Sequence, residues 1–383
     1  MIKSISHSNV INNHWNWASK INFKDFENFH IEVTKHGFTH VDAPSHMIKN
    51  GKSLSDCKPN LLCGWAKLID VSECLGDKPI TSDFLESKAI DINQGDIVIL
   101  RSNLNDIYPN TSSNYWDNSP YLDDSGSKWL IKKNIKSLVF DFPQDRAAKD
   151  LQFRVVMNKE FTEHQIVLGA GVMHVEHAIN LKLIEGNEIF FCALPLPLPK
   201  ADGGNCTPIS IIGIEKKEYE ICEHSQILYD NSKFQSFLTL SFEKGDQVQE
   251  TGFIQNGLTH TSFIASNNNF YKKMFEKLIF DDFVVLNNIE SFSKKKCEVL
   301  ILDFEENIEL EKIIKLLKIV EFEVLCLSFQ PEISDLKKIL CYCDRIFINF
   351  KNSAVLNEDS KIIFSPLLID GSLISPTRII SIN

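Results

Sequence analysis

No run of apolar residues in this chain approaches the length of a membrane span, so a membrane protein is not expected. The first fifteen residues, MIKSISHSNVINNHW, lack the apolar stretch of a secretory signal. The 10 cysteines form no CxxC pair, and the spacing of Cys341 and Cys343 fits no usual zinc site. They read as free thiols in a reducing cytoplasm, packed as small apolar fillers. Positive charge is also short. With 40 Lys and Arg against 51 Asp and Glu, the formal net charge is −11, which excludes broad binding to nucleic acid or anionic membrane. There is no low-complexity segment. What remains, at 43% hydrophobic and 24% charged residues, is the mixture of a folded, cytoplasmic, soluble protein.

A length of 383 residues suggests two or three domains. A boundary falls near residues 214 to 220. Before it, FFCALPLPLPKADGGNCTPISII is rich in proline and glycine; after it, IEKKEYEICEH is charged. The expected domains are 1–215 and 216–383. In the first, apolar strands are expected at 66–73, 96–102 and 137–143. Helices are expected at 80–90, capped by Thr81 or Ser82, at 125–134, and at 160–171, stopped by glycine. MHVEHAINLKLI (173–184) starts extended or at a helix entrance. The mixture implies an α/β domain with a sheet of mixed direction. The second part reads strand, helix, strand, helix, strand from KCEVLILDF onward, which implies a smaller α/β domain with a parallel sheet.

Chemistry concentrates in HGFTHVDAPSH, residues 36 to 46. His36, His40, Asp42 and His46 all occupy even positions, which face one side of an extended chain. Gly37 and Pro44 argue against a helix and for a strand with tight loops. His40 and Asp42 could grip one ion from one side, and Gly37 would let the backbone bring His36 to it. Two imidazoles and a carboxylate suit Zn²⁺, Mn²⁺ or Fe²⁺ and leave positions open for water. The competing reading is a set of surface polar residues around a proline turn.

The segment resembles the signature HxGTHxDxPxH of the cyclase family of metal hydrolases, which includes bacterial kynurenine formamidases and isatin hydrolases. The resemblance extends over residues 10 to 213. LLCGWAKLIDVSE, GDIVILRSN and PYLDDSGSKWLIKKNIKSLVFDFPQD resemble family blocks in the right order. His164 and Glu176, within EHQIVLGAGVMHVEHAINL, resemble its second ligand pair, and PLPLPKADGGNCTPISII the closing block.

The resemblance implies that His36, His40 and Asp42 bind a first metal. Asp42 and Glu176 would bridge to a second, which His164 completes, and His46 would be the acid/base residue. The implied cofactor is one or two divalent ions per chain, zinc or manganese. The implied fold is a swivelling β/β/α domain, assembled as a homodimer or larger. Three departures stand out. Phe38 occupies the place of a glycine and narrows the space near the metal. The arginine that often follows the closing Ser-Pro pair is absent after Thr207-Pro208. His177 stands where asparagine is common.

The implied reaction is hydrolysis of a small amide or ester by metal-activated hydroxide, with arylformamidase activity leading. Opening of a cyclic amide or lactone, as in isatin hydrolysis, uses the same chemistry. A non-catalytic metal-binding protein that kept the fold is the reading from another class. His46 would pass a proton to the leaving group, a step that contributes about 10²–10⁴-fold in rate. Trp15, Trp17 and Phe38 are candidate substrate contacts, since an aromatic wall suits a planar amide. His174 and His177 flank Glu176; they read chiefly as core or surface residues, the alternative being that one hydrogen-bonds a metal ligand. Asp141 and Asp145, in DFPQD, read as shaping a loop rather than holding metal. Residues 216 to 383 faintly resemble the centre of ribokinase-like kinases but hold no GAGD segment. They are expected to serve packing, oligomerisation or as a lid.

Overall fold

A computed structural model describes residues 35–37, 39–110, 112–195, 200–212 and 214. Elsewhere it describes shorter segments, chiefly 279–287, 296–304, 308–329, 352–366 and 374–383. No helix among the described residues is long and apolar enough to cross a membrane. The chain divides into two compact units. One comprises Met1–Ser19 and Glu32–Lys216, the other Lys20–Ile31 and Lys217–Asn383. A division into two continuous pieces near residue 215 therefore leaves out one excursion, a pair of short strands at Lys20–Lys24 and Asn28–Glu32.

The N-terminal unit is mixed α/β around one nine-stranded sheet. Its strands are β1 (Ile2–Ser4), β2 (His40–Asp42), β3 (Cys63–Asp70), β4 (Ile97–Arg101), β5 (Ser137–Phe140), β6 (Met173–Glu176), β7 (Glu188–Cys192), β8 (Gly203–Asn205) and β9 (Ile209–Ile211). Their order is β1-β9-β7-β3-β4-β5-β6-β2-β8. Strands β3 to β6 run parallel. Such strands are covered on both faces and read as unbroken apolar runs, as IVIL and SLVF do. Val98, Leu100, Leu138 and Phe140 form the core beneath Leu130 of the helix Asp124–Lys132. Asp123 caps that helix by accepting from the Gly126 amide at 2.8 Å. Thr81 caps the helix Ser82–Ser87 in the same way, accepting from Phe84 at 3.2 Å.

One end of the sheet positions the chemistry. β2 lies between β6 and β8 and is antiparallel to both. Asp42 stands opposite His174 and Gly203, and His40 opposite Glu176 and Asn205. Directly paired residues share a face, so this register gathers two carboxylates and two imidazoles on one side.

The C-terminal unit contains a second mixed sheet. Four of its strands, Phe283–Leu286, Val299–Leu302, Val324–Leu327 and Arg345–Ile348, are parallel. The helix Leu310–Leu317 buries Ile313, Leu316 and Leu317 in a cluster with Leu300, Leu302, Leu325 and Leu327. Lys361–Pro366 and Ile374–Ile382 add antiparallel strands. The second helix of the expected strand-helix pattern, which falls on ISDLKKILCYC at residues 333–343, lies largely outside the described residues.

Candidate metal centre

Asp42 is the hub. It is 1% exposed and sits at the end of a three-residue strand. Its Oδ1 lies 2.7 Å from His36 Nδ1 and 3.3 Å from His40 Nε2. Its Oδ2 lies 3.6 Å from His164 Nε2 and 3.7 Å from His46 Nε2. Burial pushes the Asp42 carboxyl up, but the His40 charge and bonds to His164, His36 and His40 hold it well below the usual carboxylate range.

The surrounding residues arrive by different routes. His40 comes from the strand itself. His46 ends the short 3-10 turn Pro44–His46, which brings it back over Asp42. Gly51 closes that turn, because a Cβ there would meet the Pro44 backbone at 2.6 Å. His36 comes from the turn before the strand, where Asn205 donates to the Gly37 carbonyl at 2.7 Å. Its ring stacks on His46 with centroids 3.9 Å apart. Gly203 makes room for it, since a Cβ there would stand 2.4 Å from His36 Cε1. His164 comes from the helix Thr162–Val167 and Glu176 from β6; their near atoms are 3.1 Å apart. Glu176 also faces His40 at 3.7 Å.

The structure thus brings His36, His40, Asp42, His46, His164 and Glu176 into one cluster. Three groups in and around it have ligand atoms within 4.8 Å of one another: His36 with Asp42 and His46, Asp42 with His164, His174 and Glu176, and His164 with Asp145 and Glu163. His40 adjoins the first two. Trp15, Trp17 and Phe38 lie outside the described residues.

Four residues of the neighbourhood carry more than the sequence suggests. Asp145 accepts from His164 Nδ1 at 2.6 Å as well as from the Glu163 and His164 amides. It therefore orients a cluster histidine besides shaping its loop. Gln144 lies 2.9 Å from Glu176 Oε1 and 3.1 Å from His164. Asp202 closes the exposed side, 3.4 Å from His36 Nε2 and 3.6 Å from His46 Nδ1, and pairs with Lys35. Despite partial burial, Lys35 and His36 bring its carboxyl down to about 2. His174 is fully buried beside Glu163. His177 is a core residue, its Nδ1 3.3 Å from the Tyr115 hydroxyl and its carbonyl accepting from Thr39. Asp141 does shape a loop, accepting from Ser102 and the Asn103 amide.

The residues fit a divalent cation. Imidazole and carboxylate are the donors such ions take. His36 Nε2 is buried without a hydrogen bond, and four imidazoles and two carboxylates converge here as potential ligands. His164 is drawn into the same charge balance. Burial would lower its basicity, but Asp145, Asp42 and Glu176 hold its imidazolium well above the usual histidine range.

A family model described as a putative cyclase matches residues 4–144. The N-terminal unit is therefore similar to the cyclase family over that stretch. The same unit is also similar to kynurenine formamidases. That of Bacillus cytotoxicus is 26% identical over 175 residues, which are 45% of this chain and 74% of that protein. That of Geobacillus thermodenitrificans is 25% identical over 173 residues, with the same shares. Isatin hydrolase A from Labrenzia aggregata superposes with a TM-score of 0.45 at 17% identity, over 55% of this chain and 93% of that one.

Proposed function

We propose that the N-terminal unit is a metal-dependent hydrolase of a small amide or ester, with an N-formyl anilide of the N-formylkynurenine type as the leading substrate class. The observation that carries this reading is the convergence of His36, His40, His46 and His164 on the buried carboxylate of Asp42, with Glu176 beside His164. Similarity to kynurenine formamidases over 45% of the chain supports the choice of amide.

His36, His40 and Asp42 would hold one ion, and Asp42, His164 and Glu176 a second. When bound, a divalent ion supplies a Lewis acid and lowers the pKa of water it touches. The chain's own residues do the rest. His46 is partly exposed, at 20% of its side chain, and is not among the residues assigned to either ion, so it is an imidazole free to meet a substrate. Burial, with His36 and His164 beside it, pulls its pKa below the usual histidine value, and Asp42 only partly opposes this. It is therefore neutral at pH 7 and ready to take a proton from water and release it to the leaving nitrogen or oxygen. Asp202, 3.6 Å from Nδ1, faces the other nitrogen and favours a proton there, which leaves Nε2 as the base.

Metal analysis of the purified full-length protein, followed by assay on N-formylkynurenine and isatin, tests the reading. His46→Ala is expected to keep its metal and lose about 10²–10⁴-fold in turnover. Loss of metal from that variant would refute the role given to His46. Stoichiometric metal without hydrolysis of either compound would favour a non-catalytic binding protein.

A further inference from the structure

Behind the cluster lies a pair of groups that the proposed reaction does not use. Glu163 and His174 are both 0% exposed. Glu163 precedes His164 on its helix; His174 lies two residues before Glu176 on β6, on the same face. Neither carboxylate oxygen of Glu163 and neither ring nitrogen of His174 completes a hydrogen bond. Their closest approach, His174 Nε2 to Glu163 Oε1, is 3.2 Å. Burying such groups costs several kcal/mol unless something compensates them.

The directions of the two rings suggest what does. His174 turns Nε2 toward Glu163 and Nδ1 toward Glu176 Oε1, 3.8 Å away. His164 turns Nδ1 toward Asp145, at 2.6 Å, and Nε2 toward Glu176 and Asp42. Each imidazole thus has a carboxylate on its far nitrogen and its near nitrogen aimed at one space. Histidines that ligate metals are held in this way, because the outer carboxylate fixes the proton on the far nitrogen and frees the near lone pair. The rings meet edge to face at 5.1 Å, and Phe140 packs edge-on against His174 at 5.5 Å, so His174 is fixed in place.

We propose that His174 is a fourth protein ligand, with Asp42, His164 and Glu176, to an inner metal ion, and that Glu163 positions it. Four protein donors close a tetrahedral site, whereas three leave a position for water or substrate. The inner ion would then hold Asp42 and Glu176 in place, and the partly exposed side at His36 and His46 would be where substrate enters. The proposal rests on reading the cluster as a metal centre.

Full-length protein stripped by a chelator and titrated with Zn²⁺ alone tests both levels. Wild type is expected to bind a tightest ion that His36→Ala leaves in place. His174→Leu should weaken that ion by about 100-fold or more, and Glu163→Gln by about 10-fold, at the low end of the effect of outer partners. With Co²⁺ in place of zinc, the visible bands of the tightest site should change in His174→Leu and stay unchanged in His36→Ala. If His174→Leu does not fold, Glu163→Gln carries the test, and unchanged zinc affinity in it overturns the proposal. Equal zinc affinity and equal Co²⁺ bands in wild type and His174→Leu also overturn it while leaving the metal centre intact. Failure of the wild type to bind zinc or cobalt overturns the underlying reading as well.

Discussion

The two units treat buried polarity in opposite ways. The N-terminal unit buries His40, Asp42, Glu163, His164, His174 and Glu176 at one end of its sheet. Among the described residues of the C-terminal unit, the buried polar side chains are those of Ser328, Ser353, Ser360, Thr377 and Ser381, all hydroxyls. A hydroxyl is easily satisfied by one backbone partner. A buried ion is not, and survives only where opposite charge or a metal balances it. Ionisable burial is therefore a better marker of chemistry than fold class, since both units are mixed α/β sheets. The first unit is built around a reactive cluster, and the second, as far as it is described, around close-packed strands.

The strongest way to break this contrast is at its hub. Asp42→Asn removes the charge that four imidazoles face. It should abolish metal binding and lower kcat/KM by about 10³-fold or more, equivalent to several kcal/mol of transition-state stabilisation. Metal analysis and an amide assay read both effects. Retention of metal would mean that the carboxylate is not shared as the geometry suggests.

The converse test lies in the second unit. Phe347 is 1% exposed and stacks on Phe364 with centroids 3.9 Å apart. Phe347→Ala should destabilise that unit by about 3–5 kcal/mol, seen as an earlier transition in urea. Metal content of the folded variant should stay unchanged. A loss of metal there would break the contrast.

Gly203→Ala sharpens the same comparison without altering any charge. The new Cβ would collide with His36, which must shift to admit it. Affinity for the outer, weaker ion that His36 would hold should fall by about 10–100-fold, the range seen when support of a ligand is disturbed, while the tightest ion stays bound. Isothermal titration with Zn²⁺ reads this, and unchanged affinity would show that His36 does not hold metal.

These residues also show what the sequence could and could not reveal. Parity along an extended chain pointed to His40 and Asp42, and the strand His40–Asp42 is where that rule operates. His36 and His46 also sit at even positions, but turns bring them in, so parity had no physical hold on them. The same parity on MHVE places His174 beside Glu176, a signal that a reading of His174 as ordinary core passes over. Asp202, Gln144 and Asp145 carry no local signal. They come from loops whose neighbours are set by sheet register and helix docking, and only the folded chain reveals which histidine each one faces. Element types followed from apolar runs and caps, whereas the excursion of Lys20–Ile31 into the other unit had no composition to announce it.

The smallest expected effect concerns the hydroxyls themselves. Ser328 follows the strand Val324–Leu327, and its Oγ accepts from the Phe304 amide at 3.1 Å, just beyond the neighbouring strand Val299–Leu302. It continues the ladder where strand pairing ends. Ser328→Ala would leave that buried amide without this acceptor and cost about 1–2 kcal/mol. Urea unfolding followed by a probe in the C-terminal unit reads the change, and zinc binding should be unaltered. A much larger cost, or any change in zinc affinity, would mean that the buried hydroxyls of the second unit do more than complete its backbone.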